Sequence, residues 1–302
     1  MRALHPRYWL VYLGISLTWI LIHLLPYRVL MSIGKFLGKC GYLFSKRRRQ
    51  IGFRNIEACF PEYSQEKRKK LLKQCFDSMG EGFAEMLMAW WMPLFRLKKI
   101  PFNLKGEKDL LAEPGRGLIL CGGHFSSIEM QGCQFGLRYG KLHIVYQKHK
   151  DPIINKIINK GRSRYAVSLI DRTQLKSMIK VLRKGEYLWY APDQDLGRHA
   201  SVFVPFFNIP CATVRALGTL LKAGRARCLF AFFYRHEHEK TGMGYQFDTV
   251  LQSFPIENDD TQHALQYTQA LERAILAHPG QYLWLHRRFK TRPIGEGKFY
   301  DF

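Results

Sequence analysis

The sequence predicts an α/β fold: one mixed, mostly parallel sheet flanked by helices, carried behind an apolar amino-terminal anchor helix. Three observations lead there. From Pro101 onward, short apolar runs alternate with stretches of helical periodicity, the pattern of strands joined by crossover helices. A chain of 302 residues with 47% hydrophobic content can bury a substantial core, and neither a repeat nor a low-complexity linker divides it. The amino-terminal stretch is different in kind, apolar and then sparsely basic. The organisation predicted is an anchor and interfacial helix over 1–45 and one globular domain over 46–302.

Tyr8 to Leu25 contains no formally charged residue over 18 positions, long enough for a tilted span, or for a helix lying in the interface. Its Trp and Tyr content, and the lack of a small-x-small cleavage site, argue against a removed signal peptide. Arg2 and Arg7 precede it, whereas Arg28, Lys35, Lys39 and Lys46 to Arg49 follow, which puts the main body on the cytoplasmic side. Tyr27 to Phe44 mixes apolar residues with spaced Lys and Gly, as in a helix lying along a membrane surface. SKRRRQ, from Ser45 to Gln50, is a solvated loop, a nucleic-acid arm or a contact to anionic headgroups, and its place just beyond the apolar helix favours headgroups. Residues 62–92 have apolar positions near helical spacing, giving one long or two short helices; the tail MLMAWWMPLF is core or a further membrane-facing patch.

Beyond Pro101 the predicted strands are Gly117 to Cys121, His143 to Tyr146, Tyr187 to Tyr190, Cys228 to Tyr234 and Tyr245 to Val250. The predicted helices are Ile153 to Gly161, Leu175 to Lys184, Ala212 to Ala223 and Thr261 to Leu276. The last two strands are placed to pair as a hairpin around HEHEKTGMG.

The 47 Lys and Arg against 24 Asp and Glu give a formal charge of +23, a field that attracts anionic partners: nucleic acid, anionic lipid or an acidic protein. The seven cysteines include no C-x-x-C pair and read as reduced core thiols.

The chemistry centres on CGGHFSSIEM, Cys121 to Met130. Ser126 with Glu129 fits a capping box, so a purely local reading exists. The other reading makes His124 a base beyond the end of a strand, where ligand crevices open in α/β sheets, with Glu129 as its orienting carboxylate. A histidine followed five positions on by a carboxylate is expected roughly 0.9 times by chance in this chain, and His124 with Glu129 is the one match. Ser126 and Ser127 lack the G-x-S-x-G elbow of a nucleophile. Asp193, Gln194, Asp195 and Arg198, after the strand ending at Tyr190, form either a plain turn or a group that positions a polar headgroup. Arg162 and Arg164, then Asp171 and Arg172, are solvated charges or phosphate contacts. His236 and His238 sit in a charged turn and carry little metal signal. Trp284 to Arg292 reads as a contact to nucleic acid or to lipid headgroups.

GGHFSSIEM, GRSRY, LWYAPDQDLGRHASVFVPFF and QYLWLHRRFKTRP, in that order behind an apolar anchor, closely resemble the late acyltransferases of lipid A biosynthesis. The resemblance spans nearly the whole chain and is most specific from Gly117 to Pro293. The Phe after His124, the glutamate at 129 and the HRRFKTRP ending look more like the lauroyl type than the myristoyl type. It implies a glycerol-phosphate-acyltransferase-like domain. It implies transfer of a fatty acyl chain from acyl carrier protein to a hydroxyl on a hydroxyacyl chain of the Kdo-bearing tetra-acyl lipid A precursor, an anionic glycolipid. The implied place is the cytoplasmic face of the bacterial inner membrane, in contact with its phospholipid. Carried over by position, His124 is the base and Glu129 its partner, Arg164 lies near the reacting centre, and Asp193 to Asp195 bind substrate. Such a transfer requires no metal and no organic cofactor. An acidic carrier protein and a phosphate-bearing acceptor suit a basic surface. The rival readings are a related acyltransferase with a lysophospholipid or other lipid acceptor, and a membrane-tethered nucleic-acid-binding protein.

Overall fold

The computed structural model describes residues 9–140, 142–238, 244–254 and 259–302. Nine strands appear in these segments: β1 (Phe102–Lys105), β2 (Leu118–Gly122), β3 (Leu142–Tyr146), β4 (Ser168–Asp171), β5 (Tyr187–Tyr190), β6 (Ser201–Phe206), β7 (Ile209–Val214), β8 (Arg227–His238) and β9 (Gly244–Ser253). Seven form one sheet in the order β1-β9-β8-β2-β5-β3-β4, and β6 pairs with β7 as a separate antiparallel hairpin. All neighbours in the large sheet are parallel except β8 and β9, the hairpin expected around HEHEKTGMG.

The helices are α1 (Trp9–Leu24), α2 (Tyr27–Phe44), α3 (Lys46–Cys59), α4 (Gln65–Trp91), the short α5 (Leu94–Leu97) and α6 (Glu107–Leu111), α7 (Ile128–Tyr139), α8 (Pro152–Arg162), α9 (Leu175–Arg183), α10 (Ala216–Gly224) and α11 (Asp260–Ala277). The chain crosses from β2 to β3 to β4 in one direction and returns from β4 to β5. Right-handed crossovers then put α7 and α8 on one face of the sheet and α9 on the other. The packing agrees: α7 and α8 rest on α4, while α9, α10 and α11 rest on one another. The reversal lies between β2 and its neighbour β5, a topological switch point whose crevice opens beyond the strand ends. β2 is buried at every position, because it is central and covered on both faces.

Helix α4 runs unbroken for 27 residues from the cap Ser64, whose hydroxyl accepts Lys67 N–H at 3.2 Å. Most of its tail is core, with Met88, Ala89, Trp90 and Met92 buried, whereas Leu94 and Phe95 just beyond it are exposed. The helix presses directly on the loop after β2, so that a Cβ on Gly82 would lie 2.2 Å from the Ser126 carbonyl oxygen.

Several expectations are corrected. Of the apolar segment Tyr8 to Leu25, the described part forms helix α1 over Trp9–Leu24. Helix α1 has 16 residues, about 24 Å at 1.5 Å per residue against a hydrocarbon core of about 30 Å. Among the described residues no helix is long and apolar enough to cross a membrane. Pro26, in extended geometry, separates α1 from α2, and Arg96 closes the end of α1 by donating to the carbonyls of Ile22, His23 and Leu25. SKRRRQ is not a loop: it opens α3, and Arg49 donates to the carbonyls of Tyr42 and Leu43 at the end of α2. The helix expected over Ala212 to Ala223 starts at Ala216, because 209–214 pairs with the SVFVPF strand. Trp284 to Arg292 is an internal strap. Trp284 and Phe289 are fully buried, and the buried Arg288 donates to Ala212 O at 2.6 Å and Thr213 Oγ1 at 2.8 Å. All seven cysteines are free and six are buried, as core thiols should be.

Candidate active site

His124 lies two residues beyond β2 and Asp193 three beyond β5, and these strands are paired in parallel with Cys121 opposite Tyr190. Neighbouring strand ends therefore deliver both side chains to one crevice. His124 Nδ1 meets Asp193 Oδ1 at 2.5 Å, and the backbone N–H of His124 donates to Asp193 Oδ2 at 2.8 Å. Asp193 is 2% exposed. Burial pushes its carboxyl up, but the charge of His124, its two hydrogen bonds and the Arg288 guanidinium outweigh this and hold it at about 2. Burial likewise pushes His124 down, and Asp193 overcomes it, so the imidazole is more basic than an ordinary histidine. With Nδ1 engaged, Nε2 is the nitrogen left for proton transfer.

The loop is held by contacts distant in sequence. Ser126 N–H donates to Gln281 O at 2.8 Å, Leu283 N–H donates to His124 O at 3.0 Å, and Phe125 bridges to Tyr282. The capping box does not form. Ser126 Oγ joins Ser78 Oγ at 2.7 Å and accepts from the buried Arg235 at 3.1 Å, whereas Ser127, the cap residue of α7, makes no side-chain cap. Arg235 is itself neutralised by Glu85 and Glu81 at 2.5 and 2.7 Å, which ties α4, β8 and the His124 loop into one buried polar cluster.

The carboxylate that hydrogen bonds His124 is Asp193, and Glu129 is engaged elsewhere. Its carboxylate accepts from Arg162 Nε at 2.9 Å and from Arg162 Nη2, from Tyr165 OH at 2.6 Å and from Trp90 Nε1 at 3.3 Å. Burial raises this carboxyl, but Arg162 and the two further donors hold it below its ordinary value. The physical reason is direction. From the first turn of α7 the side chain points toward α4 and α8, where Arg162 offers a fork of donors.

Of the other expected residues, Gln194 lines the crevice, while Arg164, Asp195 and Arg198 hydrogen bond within the protein. Arg164 donates to the carbonyls of Ala89 and Met92 at 3.1 and 2.7 Å, closing the end of α4. Asp195 accepts from Thr291 N–H at 2.6 Å, Thr291 Oγ1 at 2.8 Å and Gly197 N–H at 3.0 Å, fastening the carboxyl-terminal strap. Arg198 donates to Arg292 O at 2.8 Å. His236 packs on His278 and lies 3.5 Å from Asp248; the His238 side chain falls outside the described residues. Among the described residues, no three His, Cys, Asp or Glu side chains are grouped to hold a metal ion.

Two cavities meet at His124. One, of about 280 Å³, lies between α7, α8 and the sheet, with Ile128, Leu142, Ile144 and Ile158 as apolar wall and Glu129 and Arg162 as polar end. The other, of about 380 Å³, is bounded by Tyr190, Pro192, Gln194, Arg172, His199 and Arg215. Trp189 and Gln194 line both. Arg162, which the sequence leaves open as a solvated charge or a phosphate contact, stands at the polar end of the smaller cavity. Ile158 and Arg162, four apart on α8, both line the cavity, whereas Arg164 lies beyond the end of the helix.

Residues 1–291 match the family model described as bacterial lipid A biosynthesis acyltransferase. The chain is 40% identical over 296 residues to the lipid A biosynthesis lauroyltransferase of Escherichia coli K12, covering 97% of this chain and 95% of that protein. It is 36% identical over 300 residues to the palmitoleoyltransferase of the same organism, covering 98% and 96%. Its identity to the E. coli myristoyltransferase is 28% over 311 residues, so the leaning toward the lauroyl type agrees with these figures. Among solved structures, a 1-acyl-sn-glycerophosphate acyltransferase from Thermotoga maritima aligns at a TM-score of 0.38 and 15% identity, over 82% of this chain and 94% of that one.

Proposed function

The chain belongs to the bacterial lipid A biosynthesis acyltransferases, and from that membership we propose its donor, acceptor and catalytic groups. The donor is a fatty acyl thioester of acyl carrier protein, with a chain of lauroyl length or close to it. The acceptor is a hydroxyl on a hydroxyacyl chain of the Kdo-bearing tetra-acyl lipid A precursor, met at the inner face of the bacterial inner membrane.

The observation that carries this reading is the imidazole clamped by Asp193 where two cavities meet. His124 Nε2 removes the proton of the acceptor hydroxyl as its oxygen attacks the thioester carbonyl. Asp193 fixes the tautomer and stabilises the imidazolium. The tetrahedral adduct collapses with cleavage of the C–S bond, and the imidazolium returns its proton to the departing thiolate. The products are an ester and a free thiol, with no covalent enzyme intermediate. Glu129 holds Arg162 as the cation of the apolar cavity. Gln194, between the two cavities, is suited to hydrogen bond either substrate.

Attachment to the membrane is supported by the surface of α1 and α2, where Trp9, Leu10, Leu13, Leu24, Phe36 and Phe44 are all exposed, with Lys35 and Lys39 alongside. This geometry suits a helix lying in the interface.

The test is transfer by the purified protein from lauroyl-loaded acyl carrier protein to the tetra-acyl precursor, read by mass spectrometry, with His124→Ala as comparison. Acylated product from the unaltered protein and none from the variant is the expected result. Full turnover by His124→Ala would remove the mechanism, and transfer only to a lysophospholipid would replace the acceptor.

A further inference from the structure

The rim of the larger cavity is basic in a way the remainder of the site is not. Lys148 and Lys150 follow β3, Arg172 follows β4, Lys176 and Lys180 project from α9, and Arg215 precedes α10; all six are exposed. Arg172 and Arg215 also line the cavity that reaches His124. No ion pair among the described residues involves any of the six.

The carboxylates nearest in the chain are turned onto local donors. Asp171 accepts from Thr173 N–H at 3.0 Å, Thr173 Oγ1 at 2.6 Å and Lys148 N–H at 3.2 Å. Asp151 caps α8 through Ile153 N–H at 2.8 Å and Ile154 N–H at 3.1 Å. Helix α9 itself, LKSMIKVLR, contains no acid.

We infer that this rim, centred on α9 and the turn before it, is the docking surface for the acidic protein that presents the acyl thioester, with the larger cavity as the passage for its tethered arm. The inference rests on the donor assigned above and adds where that donor sits. Two observations favour a protein over a lipid surface. The outward side of α9 shows no exposed large apolar residue, whereas an interfacial helix carries apolar anchors beside its charges. Most of the exposed large apolar residues belong instead to α1 and α2, which pack on α4 in the helical layer across the sheet from α9, and Leu196 alone of the others lines the larger cavity. A carrier protein on α9 can therefore deliver its chain to His124 while α1 and α2 engage the bilayer.

The experiment measures binding of fluorescently labelled acyl carrier protein by anisotropy, alongside kcat/KM for carrier-borne lauroyl thioester. The full chain, Lys176→Glu/Lys180→Glu, and the control Lys69→Glu/Lys70→Glu on exposed positions of α4 are compared. The expected result is a loss of about tenfold in both affinity and kcat/KM for the α9 variant, and none for the control, which carries the same change in net charge. Equal effects in the two variants would overturn the surface, as would an α9 variant that binds the carrier normally. An α9 variant that instead loses binding to vesicles of anionic phospholipid would assign the rim to the membrane. If the unaltered protein neither binds the carrier nor accepts its acyl group, the donor reading itself fails.

Discussion

His124 and Asp193 are joined twice, ring nitrogen to one carboxylate oxygen and backbone N–H to the other, so a single aspartate sets both the orientation of the imidazole and the path of the chain that bears it.

Asp193→Asn should lower kcat by roughly 10²- to 10⁴-fold, the usual contribution of a well-placed general base, with little change in KM. The same variant should move the acid limb of kcat/KM. Only the neutral imidazole accepts a proton, so the rate rises with pH through the His124 pKa, which Asp193 holds above 6.5. Without that carboxylate the limb shifts to lower pH. Rate profiles from pH 5 to 9 for both proteins check it, and an unmoved limb would mean another group titrates.

The pair also makes stability depend on pH. The folded pKa of Asp193, about 2, lies below its ordinary 3.8, so its contribution is present above about pH 4 and is lost as pH falls toward 2. His124 is raised, so its contribution is complete below 6.5 and is lost as pH climbs through the raised value. One interaction seen from both ends, it contributes about 2 kcal/mol, greatest between roughly pH 4 and 6.5. Thermal melts across that range should show Asp193→Asn losing most relative to the unaltered protein inside the window.

Glu129→Ala should destabilise by about 2–4 kcal/mol, somewhat less than breaking a fully buried pair, because Arg162 keeps 22% exposure. Arg162→Ala should behave similarly, and the double variant should cost much less than the sum. Chemical denaturation of the four proteins measures the cycle; strict additivity would show that the two act separately.

Asp195→Ala should lower stability by about 2–3 kcal/mol, since Thr291 and Gly197 lose a charged acceptor. Residual kcat in the folded fraction should stay near normal. A collapse of kcat with unchanged melting would instead put Asp195 in contact with substrate.

Replacing Leu10, Leu13 and Leu17 with Ser removes exposed apolar surface from α1 while its buried Ile22 remains. Partitioning to vesicles should fall by about 3 kcal/mol, roughly a hundredfold, with soluble-donor chemistry unaffected. Sedimentation with liposomes reads the change.

The sheet was legible because parallel strands buried on both faces leave apolar runs, and Leu118 to Cys121 or Tyr187 to Tyr190 could hardly be anything else. Short or partly exposed strands, such as Phe102–Lys105 and Ser168–Asp171, leave no such trace. His124 was legible from its place after a strand. Its partner was not, because proximity in sequence favoured Glu129, whereas the contact with Asp193 depends on β5, not β3, lying beside β2. The basic clusters are divided in a way the sequence does not display. Arg49, Arg164 and Arg288 donate to internal carbonyls, and a sequence does not mark which guanidinium groups face inward.

The strand-like contact between Phe125 and Tyr282 has a consequence for biogenesis. As the protein is made, α1 and α2 leave the ribosome first and the histidine's loop follows, but the segment that locks that loop is synthesised much later. A nascent chain thus exposes the apolar faces of α1 and α2 before the His124 loop is fixed in place. A molecule arrested partway through synthesis should therefore carry those two helices without an ordered His124 loop.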